Sequence, residues 1–287
     1  MCQVEEVKVR MNFAKCFATV LLLVVASISW GQAAKNGEFT PQVGQAGKDV
    51  IWVPTPDELV ERMLRMAQTT SSDFVMDLGS GDGRTVIAAA KKFGAKAMGI
   101  EYNPDMVTLS QRNAQREGVT AMATFMKADL FETDFSQATV ITMYLLPGIN
   151  AKLKPKILNL KPGLRVVSHA FDMEDWQPDQ IDSFDGRRAM LWIVPAKVSG
   201  TWKLRIGEGS ENDLSLTQRY QVVEGSLRQG KLSAGLREPR LSGDRISFAL
   251  MDLSGAPQTF TGRVTGDSMS GTVRSATGTE TRWTAKR

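Results

Sequence analysis

The sequence predicts a doubly wound α/β sheet followed by a small all-β barrel or sandwich, and three observations carry that prediction. Short apolar runs alternate with helix-like stretches between residues 74 and 170. A glycine-rich turn, Asp77-Leu-Gly-Ser-Gly-Asp-Gly83, closes the first of those runs. Beyond Pro195 the composition changes to Gly, Ser, Thr and Arg in short alternating runs, with no stretch of helical spacing. Strand and helix alternation implies parallel strands joined by right-handed crossovers, whereas many short strands punctuated by glycine imply an antiparallel meander.

In chain order, the segment from Met11, a candidate internal start, reads MNFAKCFATVLLLVVASISWGQAA: a lysine, an apolar core, then small residues. That is the order of a secretory signal, and the core is short of the roughly 20 residues a bilayer span needs. Residues 1–33 are therefore expected to be a signal peptide that exports the protein, for instance to a periplasm. An uncleaved membrane anchor or a soluble tail is the alternative. Residues 34–49, rich in glycine and polar side chains, read as a linker, followed by the α/β domain at 50–197 and the all-β domain at 198–287.

Within the α/β domain, strands are expected at Phe74–Leu78, Ala97–Glu101, Ala123–Lys127, Val140–Tyr144 and Leu164–Ser168. Helices are expected over 57–67, 84–93, 104–117 and 151–160, with Pro104 as a start signal and Gly94 and Gly118 as stops. Asp185-Gly186 between two further apolar runs marks a hairpin at the sheet edge. The C-terminal domain reads as a meander of six to eight strands.

Composition narrows the chemistry. The only cysteines are Cys2 and Cys16 and the only histidine is His169, so the body of the chain has no thiol nucleophile, no disulfide and no Cys- or His-built metal centre. The net charge of +4 arises entirely after residue 197, where 13 Lys and Arg face 9 Asp and Glu. These basic residues are scattered singly, as on a solvated face, and no nucleic-acid partner is expected.

The first crossover carries the site. Gly79, Ser80, Gly81 and Gly83 lie between a strand and a helix, where backbone without Cβ atoms lets a ligand approach closely. The third glycine of a nicotinamide fingerprint would fall at position 84, which is Arg84. Glu101 ends the second strand, where a carboxylate can accept both hydroxyls of a ribose; an ordinary polar strand end is the other reading. Asp129, followed by Leu130, comes after the third strand and suits an exocyclic adenine amine or, alternatively, a turn or helix cap. With Asp77, these place three carboxylates on one edge of the sheet, the edge where open α/β sheets bind ligands.

These residues resemble the class I S-adenosylmethionine-dependent methyltransferases: Asp77–Gly83 is similar to the first motif, Glu101 to the second and Asp129 to the adenine-binding motif. More narrowly, Trp52-Val-Pro-Thr-Pro56, Asp77–Arg84, Thr142-Met-Tyr-Leu-Leu-Pro147 and Val167-Ser-His-Ala-Phe-Asp172 resemble the membrane-associated protein-lysine methyltransferases that modify the ATP synthase c-subunit and the adenine nucleotide translocase. The resemblance implies S-adenosyl-L-methionine as cofactor, held by Thr55, Asp77, Gly79, Ser80, Gly81, Gly83, Glu101, Asp129 and Leu130, and no metal. It also implies an amine acceptor, a protein lysine in those relatives.

Tyr144 and Pro147 follow the fourth strand, where the methyl group should project, and are the candidate catalytic residues; a packed aromatic is the other reading of Tyr144. The stretch Thr142-Met-Tyr-Leu-Leu-Pro147 lacks the Asn or Asp that amine methyltransferases acting on bases often carry at this spot. His169 reads either as an assisting base or as a hydrogen-bonded structural histidine. A small-molecule or lipid acceptor, or an exported binding protein with a lapsed active site, are the competing functions. The C-terminal glycine-punctuated strands loosely resemble small calycin-like barrels.

Overall fold

The computed structural model describes residues 39–48, 50–251 and 255–287. The expected signal or anchor, residues 1–33, and residues 34–38 and 49 of the expected linker lie outside the described residues.

Seven strands form the first sheet: β1 (Phe74–Leu78), β2 (Lys96–Glu101), β3 (Ala123–Lys127), β4 (Val140–Met143), β5 (Arg165–His169), β6 (Gln180–Phe184) and β7 (Arg187–Ile193). Their order is β3-β2-β1-β4-β5-β7-β6. β1 to β5 are parallel, and the β6–β7 hairpin adds an antiparallel edge around Asp185-Gly186, both left-handed. The chain leaves β1 in one direction and returns at β4 on its other side, so the crevice at their carboxyl ends is the switch point of the sheet.

Helices α1 (Asp57–Met66), α2 (Arg84–Phe93) and α3 (Pro104–Arg116) cover one face, and α4 (Pro147–Ile157) covers the other. Alternation along the strands divides the core between the faces. Val75, Ala97 and Val140 pack with Leu59, Met63 and Ala89, while Met76, Ile100 and Ile141 pack with Leu153, Phe135 and Trp176. The stripe Leu59, Met63, Leu64 and Met66 of α1 is buried in the first of these cores.

α4 starts at Pro147, four residues before the expected position. Leu146 is extended and proline occupies the first helical turn, where its fixed φ suits the helix and its missing N–H has no partner to lose.

The remaining strands are β8 (Gly200–Ile206), β9 (Asn212–Arg219), β10 (Val222–Gln229), β11 (Leu232–Gly235), β12 (Arg237–Ser242), β13 (Arg245–Met251), β14 (Pro257–Thr265), β15 (Ser268–Arg274) and β16 (Glu280–Lys286). Each pairs antiparallel with its neighbour in sequence, except across the β11–β12 joint, and β16 returns to pair with β8. Only Leu236 separates β11 from β12, and its N–H donates to Gly225 of β10 at 2.9 Å. A bulge between Arg237 and Arg240, with Glu238 left-handed, bends this segment from β10 onto β13. Counted as one bent strand, it closes an eight-membered up-and-down barrel.

The barrel interior is filled. Phe248 and Phe260 stack at 4.7 Å with Trp283 edge-on to both, and Trp202 is fully buried beside them. The Trp283 indole N–H reaches the carbonyls of Thr261 and Thr272, both at 3.1 Å.

Candidate active site

At the carboxyl edge of β1 the chain turns sharply onto α2. The N–H groups of Gly79 and Ser80 both donate to the Ile100 carbonyl of β2, at 2.9 and 3.0 Å, which folds the turn back over the sheet. Gly81 adopts φ +54°, and a Cβ there would come within 2.8 Å of the Trp52 indole. Gly83 caps α2 at φ +83°, and a Cβ there would meet Phe125 and Ser110 at 2.7 Å. The two glycines therefore serve different needs: Gly81 keeps the pocket open against Trp52, whereas Gly83 permits α2 to pack on β3 and α3 and does not line the pocket. Ser80 lines it, but its hydroxyl turns towards Gly99 and has no hydrogen-bond partner among the described residues.

Asp77 is buried at the end of β1 and accepts from the Thr142 hydroxyl of the paired strand β4 at 2.7 Å. Burial pushes its carboxyl up to about 7, against the bonds from Thr142 and Thr85; Asp82 and Glu101 add to the upward push. Glu101 is held from both sides: Oε2 accepts from the Gly81 N–H at 3.0 Å and Oε1 from the Asn103 N–H at 2.9 Å. Each oxygen keeps a second lone pair, so the carboxylate is fixed in place with acceptor capacity to spare. Asp129 accepts from the Phe131 N–H at 2.9 Å and is ion-paired with Lys48. Those two partners, Lys48 first, hold its carboxyl below the usual range.

A hairpin from Gln42 to Trp52 forms the outer wall. Gly44 and Gln45 exchange backbone hydrogen bonds with Trp52, all at 2.9 Å, Gln45 reaches the Met106 sulfur, and Lys48 sits 4.7 Å over the Tyr102 ring. Residues 41–48 are expected in a linker, yet Gln45–Lys48 line the pocket. Their polarity reflects a site wall, which composition alone cannot distinguish from a tether. Next along the chain, the Thr55 carbonyl accepts from Arg84 at 2.9 Å, and the Thr55 hydroxyl meets His169 Nδ1 at 3.0 Å.

His169 is buried and pushed down to about 4, mainly by burial and then by the Arg187 charge, so it is neutral at pH 7. Its ring lies 3.8 Å from that of Tyr144, whose other ring neighbour is Phe171 at 6.0 Å.

Of the expected site residues, Thr55, Asp77, Gly79, Ser80, Gly81, Glu101, Asp129, Leu130 and Tyr144 all line one pocket. Gly83 and Pro147 do not: the first is the α2 cap just described, and the second is an exposed residue in the first turn of α4. Trp52, Lys48, Tyr102 and Met106 line the pocket as well, and sequence reasoning does not reach them as site residues. Only the Trp52-Val-Pro-Thr-Pro motif signals any of the four.

A family model described as the ANTKMT methyltransferase domain matches residues 77–180. A protein-lysine N-methyltransferase of Saccharolobus islandicus is 47% identical over 134 residues, covering 46% of this chain and 83% of that protein. The chain belongs to the S-adenosylmethionine-dependent methyltransferases. The ATP synthase C-subunit lysine N-methyltransferase of Rattus norvegicus is 38% identical over 49% of this chain and 65% of its own length, so the chain spans a little under two thirds of that relative. A crystal structure of an RNA methyltransferase from Salinibacter ruber with S-adenosyl-L-homocysteine matches with TM-score 0.50 and 47% identity, covering 51% of this chain and 96% of that one. The family model ends 20 residues before the barrel's first strand at Gly200.

The pocket of this methyltransferase fits the cofactor. Gly81 leaves a backbone cradle that a Cβ would fill, Glu101 presents two anchored oxygens with acceptor capacity of the kind a diol needs, and Asp129 adds a third acceptor group to the same pocket, which Tyr102 and Leu130 also line.

Proposed function

We propose that this chain methylates the ε-amine of a lysine side chain in a protein. The observation that carries the reading is the wall at the end of β4. There Met143, Tyr144, Leu145 and Ile149 line the pocket, and the stretch Thr142–Pro147 carries no amide or acid of the kind that base-modifying enzymes often place there. When bound, S-adenosylmethionine supplies an electrophilic methyl carbon on a sulfonium.

The protein's own contribution is placement and dryness. Glu101 and Asp129 hold the ribose and adenine ends, and the half-buried Tyr144 face presents π density to a cationic or developing cationic centre. A lysine amine, with an ordinary pKa of about 10.4, must be neutral to attack, and the apolar wall favours the neutral form by desolvation. His169 has its Nδ1 committed to Thr55 and its ring against Tyr144, so its role is to hold the wall. In-line geometry at about 3 to 3.5 Å then supplies most of the acceleration.

The relatives named as lysine methyltransferases support a protein acceptor, and the relative named as an RNA methyltransferase supplies the alternative to test. Wild type and Glu101→Ala are incubated with radiolabelled S-adenosylmethionine and either total protein or total RNA, followed by acid hydrolysis. Labelled methyl-lysine made by wild type only is the expected result; label confined to RNA or to small molecules overturns the reading. We further propose export by a cleaved signal peptide, or retention at the membrane if the segment stays as an anchor, supported by the apolar run after Lys15. Recovery of the full chain wholly in the soluble cytoplasmic fraction would count against this.

A further inference from the structure

The connection from His169 to Trp176 leaves the active site and ends on the barrel. Phe171, beside Tyr144, has its carbonyl bound by Ser168 at 2.7 Å and by Asn150 of α4 at 3.2 Å. Further along, Asp175 accepts from Lys154 of α4 at 2.7 Å, from Tyr220 of the β9–β10 turn at 2.9 Å and from Arg219 at the end of β9 at 3.1 Å. Trp176 stacks on Tyr220 at 5.9 Å and donates to Gln221 at 2.9 Å, and Gln221 donates back to the Gln177 carbonyl at 2.8 Å.

Three of the six left-handed non-glycine residues among the described residues lie on this route: Ala170 (φ +65°), Glu174 (φ +59°) and Tyr220 (φ +56°). Strain of this kind persists only where the surroundings over-determine it. Holding the two domains together does not require it. A second contact close by already does so: the Ala196 N–H donates to Gly243 at 2.8 Å, Gly243 packs on Gly163 before β5, and Gln218 donates to the Ala196 carbonyl at 2.8 Å.

We infer that the barrel is a positioning module for methyl transfer, Tyr220 and Gln221 holding the 170–177 connection so that Phe171 and His169 fix Tyr144 at the acceptor wall. The inference rests on the acceptor reading above. Tyr220 and Gln221 are positioning residues: neither lines the pocket, and both act through Trp176 and the strained connection. The barrel thereby has a task that does not require a ligand of its own.

The test uses the full chain carrying Tyr220→Ala, Tyr220→Phe or Gln221→Ala, with three readouts: hydrogen exchange, S-adenosylhomocysteine affinity, and kcat and KM for the acceptor. Tyr220→Ala and Gln221→Ala are expected to speed exchange in segments 168–177 and 141–146 by about tenfold, with β1 and α2 unaffected. Cofactor affinity should stay within about twofold and KM should move little, while kcat falls about tenfold, the pattern of lost alignment. Tyr220→Phe keeps the stack on Trp176 and should restore most of kcat.

Exchange changes confined to the barrel, or an unchanged kcat despite a loosened connection, overturn the inference. Should Tyr220→Ala fail to fold, Gln221→Ala, which deletes only the clamp on Trp176 and Gln177, decides alone. A wild type that methylates no amine defeats the acceptor reading, and the exchange readout at 141–146 still decides whether the barrel holds Tyr144.

Discussion

The two sheets of this protein bury apolar surface in opposite ways. The open sheet leaves its carboxyl edge uncovered, and there the chain concentrates polar and conformationally special residues: Asp77, the 79–83 turn, Glu101 and Asp129. The barrel closes on itself through a bent strand and fills its interior with Trp202, Phe248, Phe260 and Trp283. An open edge makes a site, whereas a filled, closed barrel makes a rigid body. Damage to the barrel interior should therefore cost stability and leave cofactor binding intact, whereas loss of an anchor at the open edge should cost binding.

The largest expected effect is in the barrel. Trp283→Ala removes a fully buried indole with two carbonyl partners and should lower unfolding free energy by about 3–5 kcal/mol, while the folded fraction binds S-adenosylhomocysteine as wild type does. Chemical denaturation with calorimetry on the folded protein checks both halves. A parallel loss of affinity would break the comparison.

Next is Asp77, which couples the site to stability. Its folded carboxyl titrates near 7 against an ordinary 3.8, so the folded chain binds the extra proton. That contribution is fully present below pH 3.8 and is lost as pH rises through 7. Asp77→Asn keeps an acceptor for Thr142 and should raise stability at pH 8 by about 2–4 kcal/mol, a gain that vanishes towards pH 4. His169 works in the opposite direction. Held near 4 against 6.5, it contributes stability that is complete above pH 6.5 and is lost as pH falls towards 4. His169→Gln should flatten the acid side of the stability profile, measured as denaturation midpoints from pH 4 to 8; an unchanged acid limb would refute the assignment.

A smaller effect belongs to the outer wall. Lys48→Met breaks a solvent-screened ion pair with Asp129 and should leave stability nearly unchanged. Asp129→Ala should weaken cofactor binding by about tenfold, as expected for one hydrogen bond to a charged acceptor. Titration of both variants with S-adenosylhomocysteine sharpens the division between wall and anchor.

Much of this is legible from local sequence. Asp77 and Glu101 sit at the carboxyl ends of apolar runs that are strands and Asp129 comes two residues after a third, so their convergence needs only the parallel topology that strand and helix alternation already implies. What escapes is non-local. Lys48 belongs to a Gly- and Gln-rich stretch whose composition is that of a tether, and only its hairpin contact with Asp129 and Tyr102 gives it a role. Gly83 looks like its neighbours but is required by Phe125 and Ser110, 42 and 27 residues further on. Pro147 is a candidate for the acceptor channel from its position after the fourth strand, where it is equally a helix-start proline. The barrel's alternation is readable, but its closure depends on one bulge at Glu238 that no local pattern marks.

The central claim is that the pocket between the β1 turn and the 42–52 hairpin is a cofactor site anchored by Glu101. Calorimetric titration of S-adenosylhomocysteine into wild type and Glu101→Ala tests it most directly. Micromolar binding by wild type, weakened by about 2–3 kcal/mol or more in the variant as two ribose bonds are lost, is the expected result. A folded wild type that binds nothing, or a variant that binds as tightly as wild type, would contradict it.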